Sequence, residues 1–129
     1  CPPAEECVLA SWQADCDNVL AASDVRVAAD ANFADADMDK FWKKALAHNA
    51  PLSMLCTAEI LHRLSPQDDV TTALDLEYRY TYRSMDEGEF LEGTRAAVID
   101  KDRTPNWQYK RLDEVSDEKV NAMLAELPK

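Results

Sequence analysis

Two glycines, Gly88 and Gly93, are all that the 129 residues contain. Sheets joined by tight hairpins spend more glycine on their turns, so a β-rich architecture is disfavoured. Histidine is equally scarce. His48 and His62 lie apart from Cys1, Cys7 and Cys16, and no C-x-x-C pair occurs, so no zinc-ligand spacing is present. There is no G-x-S-x-G elbow, no phosphate loop and no dinucleotide fingerprint. No apolar run approaches the ~18 residues that cross a bilayer, and no signal peptide is visible. Cations are short as well: 14 Lys and Arg stand against 25 Asp and Glu, a formal charge of −11. Phosphate backbones and anionic membranes repel such a surface, which excludes nucleic acid and membrane as expected partners.

What is present suits helices. Alanine, glutamate, lysine and leucine are abundant. One domain fits the length, and a chain of this size buries enough surface for a core without staples. The even cysteine count permits disulfides. Cys16 and Cys56, set among apolar neighbours, read instead as small buried residues, and a reducing, cytoplasmic setting follows. The chain opens Cys1-Pro2-Pro3 rather than with Met. That implies the removal of a leader, a tag or an upstream domain; a lipid-anchored mature N-terminus is the other way to open on Cys.

Along the chain, Val8, Trp12, Val19 and Leu20 form a partial helical stripe that Asp15–Asn18 interrupt, and residues 25–33 suit a short helix. Met38, Phe41, Trp42, Ala45 and Leu46 fall on one helical face, with Asp37 as N-cap and Asn49 before Pro51 as the stop. Pro51 opens the next helix, whose Leu52, Leu55, Cys56, Ile60, Leu61 and Leu64 leave little polar face and predict burial nearly all round. After a break at 65–68, residues 70–85 form a helix with Tyr78, Tyr80 and Tyr82 on several sides, suited to touching more than one neighbour. Gly88 ends it. Residues 89–99 read as a helix holding Gly93, explained either by a close approach of backbone or ligand or by plain helix crossing. Ser116 caps a last helix with Val120, Met123, Leu124 and Leu127 inward and Val115 and Val120 as a staple.

Chemistry is sparse. The carboxylate pairs Asp68/Asp69, Asp100/Asp102 and Asp113/Glu114 default to solvated faces, and neither histidine has an orienting carboxylate nearby in sequence. No catalytic residue, metal site or cofactor is assigned. Arg95, Lys101 and Arg103 near Trp107 admit two readings: ion pairs with Asp100 and Asp102, or a place for a phosphate with a stacked purine.

Three stretches carry a resemblance: Leu76-Glu77-Tyr78-Arg79-Tyr80; Phe90-Leu91-Glu92-Gly93-Thr94-Arg95-Ala96-Ala97-Val98-Ile99-Asp100-Lys101-Asp102; and Pro105-Asn106-Trp107. With the Ala50-Pro51-Leu52-Ser53 helix opening and the Leu112-Asp113-Glu114-Val115-Ser116 tail, residues 32–129 resemble the C-terminal part of 3-hydroxyisobutyryl-CoA hydrolases. These belong to the crotonase (enoyl-CoA hydratase/isomerase) superfamily. Residues 1–31 match that pattern poorly.

The resemblance implies an all-α fold of about five to six helices, the C-terminal helical module of a crotonase-type (α/β) parent. It implies that the acyl-CoA site, with its carbonyl-polarising N–H groups and its carboxylates, lies in an N-terminal crotonase domain. It implies that Lys101 meets a CoA phosphate and Trp107 lies near the adenine, although Asp102 stands where many crotonases carry a basic residue. The parent reaction would release 3-hydroxyisobutyrate and CoA in valine catabolism, in the mitochondrial matrix if the source is eukaryotic. Coenzyme A is then part of the substrate. The partners would be the crotonase domain, the acyl-CoA and, through subunit joining, further copies of the parent. A hydratase or isomerase of the same superfamily is the near alternative. A non-enzymatic helical interaction domain is the distant one.

Overall fold

The computed structural model describes residues 8–20 and 24–128. The chain divides into two compact units, one up to His48 and one from Asn49 onward.

The first unit holds α1 (Val8–Leu20), α2 (Val25–Ala29) and α3 (Ala36–His48). The run Asp15–Asn18 does not interrupt α1, which continues through it with Asp15 and Cys16 half-buried and Asp17 and Asn18 exposed. Of its expected stripe, Trp12 and Val19 are half-buried, while the side chains of Val8 and Leu20 lie outside what is described, as do Cys1 and Cys7. Asp24 caps α2, accepting from the Arg26 amide at 2.9 Å. Asp35, not Asp37, caps α3: its Oδ1 accepts from the amides of Asp37 and Met38 at 3.0 and 2.9 Å. The earlier cap is possible because the helix starts one residue before Asp37, at Ala36. Trp12 meets Phe41 with ring centroids 6.0 Å apart, and Phe33 meets Trp42 edge-on at 5.7 Å. The Trp42 indole N–H donates to the Ala28 carbonyl at 3.2 Å, so the half-buried ring leaves no orphaned donor.

The second unit holds α4 (Pro51–Arg63), α5 (Val70–Ser84), α6 (Phe90–Thr94), a π-helical turn (Arg95–Ile99), a 3₁₀ turn (Leu112–Glu114) and α7 (Asp117–Met123). Seven α-helices, rather than about five to six, therefore stand among the described residues. Leu52, Leu55, Cys56 and Ile60 of α4 face Val120, Met123 and Leu124 of the C-terminal segment in one core, with Leu76 of α5, Leu112 of the 3₁₀ turn and Val115 just after it. Ser116 caps α7 as its sequence requires, accepting from the Lys119 amide at 3.2 Å, and both staple valines are buried. Cys56 is buried and free, and Cys16 is half-buried and free.

Two features depart from a closed bundle. Leu61 points out of α4 and is exposed, so that helix is not buried all round. On α5, Leu76, Tyr80 and Ser84 turn inward, while Val70, Leu74, Tyr78 and Tyr82 form a stripe one helical turn apart on another face. Val70 remains 71% exposed, and the rings of Tyr78 and Tyr82 lie 6.3 Å apart in solvent. Phe90, Leu91, Val98 and Ile99 add a second exposed apolar group.

The end of α7 is held by two arginines from α5. Arg83 donates from Nη1 to the carbonyls of Met123 (3.2 Å) and Ala125 (2.7 Å) and from Nη2 to that of Glu126 (3.0 Å). Arg79 reaches the Leu124 carbonyl at 3.4 Å. Helix C-termini leave such carbonyls without intrahelical donors, and a cation there also meets the negative end of the dipole. Replacing Arg83 by Met is expected to lower unfolding stability by about 2 kcal/mol, with Lys recovering part of it. Urea unfolding checks this, and an unchanged midpoint contradicts it.

Candidate functional site

The segment from α6 to Trp107 is organised around one guanidinium. α6 runs for five residues, and then the backbone widens into the π turn, where the Asp100 amide donates to the Arg95 carbonyl at 2.8 Å. A single π turn inside a helix is a geometry found often at functional sites. It buries Ala96, to whose carbonyl the Arg103 amide returns at 3.1 Å. The Arg95 Nε and Nη2 donate to the two oxygens of Glu92 at 2.9 and 2.8 Å. Nη1 donates to Asp102 at 2.8 Å and to Asp100, and Nη2 also reaches the Thr104 carbonyl at 3.2 Å. Only a planar fork of five donors serves that many acceptors at once. The paired guanidinium and the Asn106 amide hold the Glu92 carboxyl down at about 2, and Arg95 likewise lowers Asp102.

The clamp shapes the loop that follows. Lys101 and Arg103 take φ of 58° and 56°, a left-handed conformation that is costly for residues with a Cβ. Asp102 between them is turned back to Arg95, and its other oxygen accepts from the Thr104 amide at 2.9 Å. Lys101 and Arg103 are exposed, and among the described residues neither enters an ion pair. The two sequence readings thus divide by residue: Arg95 takes the ion pairs with Asp100 and Asp102, and Lys101 and Arg103 are left facing solvent. Trp107 is half-buried against Gly93. A Cβ on Gly93 would stand 3.2 Å from the Trp107 Cη2 and 3.6 Å from Cζ3. The close approach at this glycine is therefore made by an aromatic side chain.

The remaining candidates are occupied elsewhere. The Asp69 carboxylate caps α5 through the Thr72 amide, Asp68 accepts from the Ser65 amide, and Asp113 pairs with Arg111. His48 lies 2.9 Å from the Lys44 carbonyl on the surface, and His62 is exposed. The Ser53 and Tyr80 hydroxyls share a hydrogen bond of 2.6 Å at the α4–α5 packing. Burial pushes the Cys56 thiol up to about 12, so it stays protonated and unreactive. No nucleophile with an orienting base is assembled among the described residues. The sequence reading passed over Glu92 and its neighbour Glu89; the E-x-x-E-G spacing, which sets both carboxylates on one side of a helical turn beside a glycine, was the available signal.

With this geometry in place, comparison with known proteins gives three kinds of match. A family model described as enoyl-CoA hydratase/isomerase matches residues 3–124. The 3-hydroxyisobutyryl-CoA hydrolase of rat mitochondria is 36% identical over 84 residues, covering 65% of this chain and 22% of the relative. The chicken protein of the same name is 38% identical over 81 residues, covering 60% of this chain and 20% of the relative. The chain thus spans about a fifth of the length of the curated relatives it matches. A solved enoyl-CoA hydratase from Rhodobacter sphaeroides overlays 98% of this chain with a TM-score of 0.84 and 39% identity, while 37% of that hydratase is covered. This corrects the expected fold class. The helices expected as an all-α class of about five to six are a fragment of that larger crotonase-type fold. The exposed apolar stripe of α5 is the physical sign of it, since a self-sufficient helical fold would bury such a face.

Two outcomes follow from the clamp. In a Trp107→Phe background, Gly93→Ala is expected to gain up to ~1 kcal/mol of helix propensity, a gain the crowded parent ring withholds. A double-mutant cycle on urea midpoints reads this coupling, and strict additivity contradicts it. Because Glu92 is lowered in the fold, its contribution is complete above the usual carboxylate range and is lost as pH falls toward about 2. The stability difference between the parent chain and Glu92→Gln should shrink over that window, and a difference constant with pH contradicts it.

Proposed function

From the premise that the chain belongs to the enoyl-CoA hydratase/isomerase family, we propose that it forms the C-terminal, coenzyme-facing part of an acyl-CoA thioester hydrolase acting on 3-hydroxyisobutyryl-CoA. The observation that carries this reading is the loop after the π turn, where Lys101 and Arg103 are exposed, outside any ion pair among the described residues, and six and four residues before Trp107 in a chain of net charge −11. The matching names of the rat and chicken relatives support the acyl group. Mitochondrial relatives support the matrix as the compartment of a eukaryotic source.

In this reading the chain binds and does not react. Thioester hydrolysis needs donors aimed at the developing oxyanion and a base for water, and these belong to the rest of the family's fold. Lys101 and Arg103 meet phosphate oxygens of the coenzyme, and the Trp107 ring lies by the adenine. Contacts far from the reacting carbonyl supply binding energy that holds the thioester in place. The outward stripes, Val70, Leu74, Tyr78 and Tyr82 with Phe90, Leu91, Val98 and Ile99, rest on the crotonase domain that forms the other part of this fold. A second reading, hydration of an enoyl-CoA, is favoured by the solved hydratase at 39% identity. Both reactions use a polarised thioester carbonyl, and the coenzyme-facing role is the same in each.

The test is an assay of the complete gene product. Release of free thiol from 3-hydroxyisobutyryl-CoA supports the first reading. Loss of enoyl absorbance from a short enoyl-CoA, without thiol release, moves the assignment to the second. Absence of both overturns the proposal. Lys101→Ala with Arg103→Ala should raise KM at least about tenfold, the size of one lost charge-assisted phosphate contact. The 129-residue chain alone should show no thioesterase turnover and should bind a hydrophobic dye strongly. Turnover by it, or no dye binding, contradicts the account.

A further inference from the structure

Trp107 is flanked by two held amides. The Asn106 amide donates to the Glu92 Oε1 at 2.6 Å, and the Gln108 amide donates to the Glu89 Oε1, which also accepts from Tyr109 at 3.4 Å. Glu89 and Glu92 are three residues apart, one turn of the same short helical segment. Their carboxylates therefore grip the backbone on either side of one residue, and Gly93, next in sequence, leaves the hollow that the ring fills. Glu89 is the less expected member. It is 5% exposed; its Oε2 makes no close hydrogen bond among the described residues, and the Leu52 amide at the start of α4 faces the carboxyl. Burying a carboxylate costs stability, and what the burial secures here is the hold on the Gln108 and Tyr109 amides.

We infer that Glu89 and Glu92 are positioning residues for Trp107, fixing the ring and the preceding Lys101–Arg103 bend before any ligand arrives. The functional use of that fixed ring rests on the coenzyme-facing reading above; the positioning itself does not. Preorganisation of this kind lowers the ordering cost of binding a flexible nucleotide. The two carboxylates differ in how they respond to protons. Glu92 stays ionised on Arg95 throughout the physiological range. Burial raises Glu89 above the ordinary carboxylate value, against the amides of Tyr109, Gln108 and Leu52 and the charge of Lys110, with the Tyr80 hydroxyl as the titratable group facing it from α5. On protonation, Glu89 becomes a weaker acceptor and the grip on Gln108 and Tyr109 slackens. The Trp107 environment should therefore respond to mild acid through Glu89.

The experiment makes Trp107 the sole indole of the full chain by replacing Trp12 and Trp42, both before His48, with Phe. Emission and acrylamide quenching are followed against pH, with circular dichroism as the control for helix content. Glu89→Ala should at least double the quenching of Trp107 with helix content unchanged. Glu89→Gln, which keeps an acceptor but cannot titrate, should restore low quenching and abolish the acid response. Identical quenching and pH profiles in the parent, Glu89→Ala and Glu89→Gln chains overturn the inference. Addition of coenzyme A separates the two claims. Emission that depends on Glu89 but ignores coenzyme A supports the positioning and overturns the coenzyme reading. Emission that answers coenzyme A equally in all three chains overturns the positioning and leaves the coenzyme reading standing.

Discussion

The interaction of Arg95 with Glu92, Asp100, Asp102 and the Thr104 carbonyl is the constraint on which the functional segment depends. Without it, the three carboxylates would repel one another within a chain already far from neutral, and the positive-φ residues Lys101 and Arg103 would be held only by the Arg103–Ala96 and Thr104–Asp102 hydrogen bonds. With it, one guanidinium is shared among the three carboxylates and balances one of their charges. Lys101 and Arg103, both exposed, balance the other two charges and bring the segment from Glu92 to Arg103 to neutrality within an acidic chain; under the proposed function these two cations meet the phosphate. The π turn belongs to the same device: its extra residue brings Asp100 and Asp102 round to the guanidinium.

The outward half of the second unit is explained by what the family fold requires. α5 carries two faces, one closed by α4 and α7 and the other left exposed at Val70, Leu74, Tyr78 and Tyr82; under the proposed function the second rests on the remainder of the crotonase fold. Tyrosine and aliphatic side chains on one stripe are the composition of a desolvated contact rather than of a solvated helix back. Arg79 and Arg83 work at the edge of the inward layer, where they tie the α7 carbonyls to α5 and fix the angle at which the other face is presented.

Much of this was legible in the sequence, and the limits have physical causes. Pro51, Ser116 and the Val120–Met123–Leu124 stripe announced α4 and α7 because caps and periodicity are local signals. The three tyrosines of α5 announced more than one neighbour, and they divide so: Tyr80 inward, Tyr78 and Tyr82 outward. The α3 cap fell two residues from its expected place because an aspartate stands at 35 as well as at 37, and local spacing does not choose between them. Leu61 looked buried because composition alone does not reveal an absent neighbour. The all-α fold class was misjudged because the helices alone do not display the larger crotonase-type fold of which they are a piece. Glu89 was invisible because one more acid in an acidic chain reads as solvated; its burial depends on the return of residues 108–109 from nearly twenty positions away.

The most direct measurement is hydrogen–deuterium exchange of the complete protein, read at the amides of Arg103, Asn106 and Gln108 with and without coenzyme A. These amides donate to Ala96, Glu92 and Glu89. A prefolded coenzyme-facing segment predicts slow exchange in the free protein and slower exchange still with coenzyme A bound. Exchange at the rate of an open loop in both states, or protection by coenzyme A confined to other segments, would contradict it.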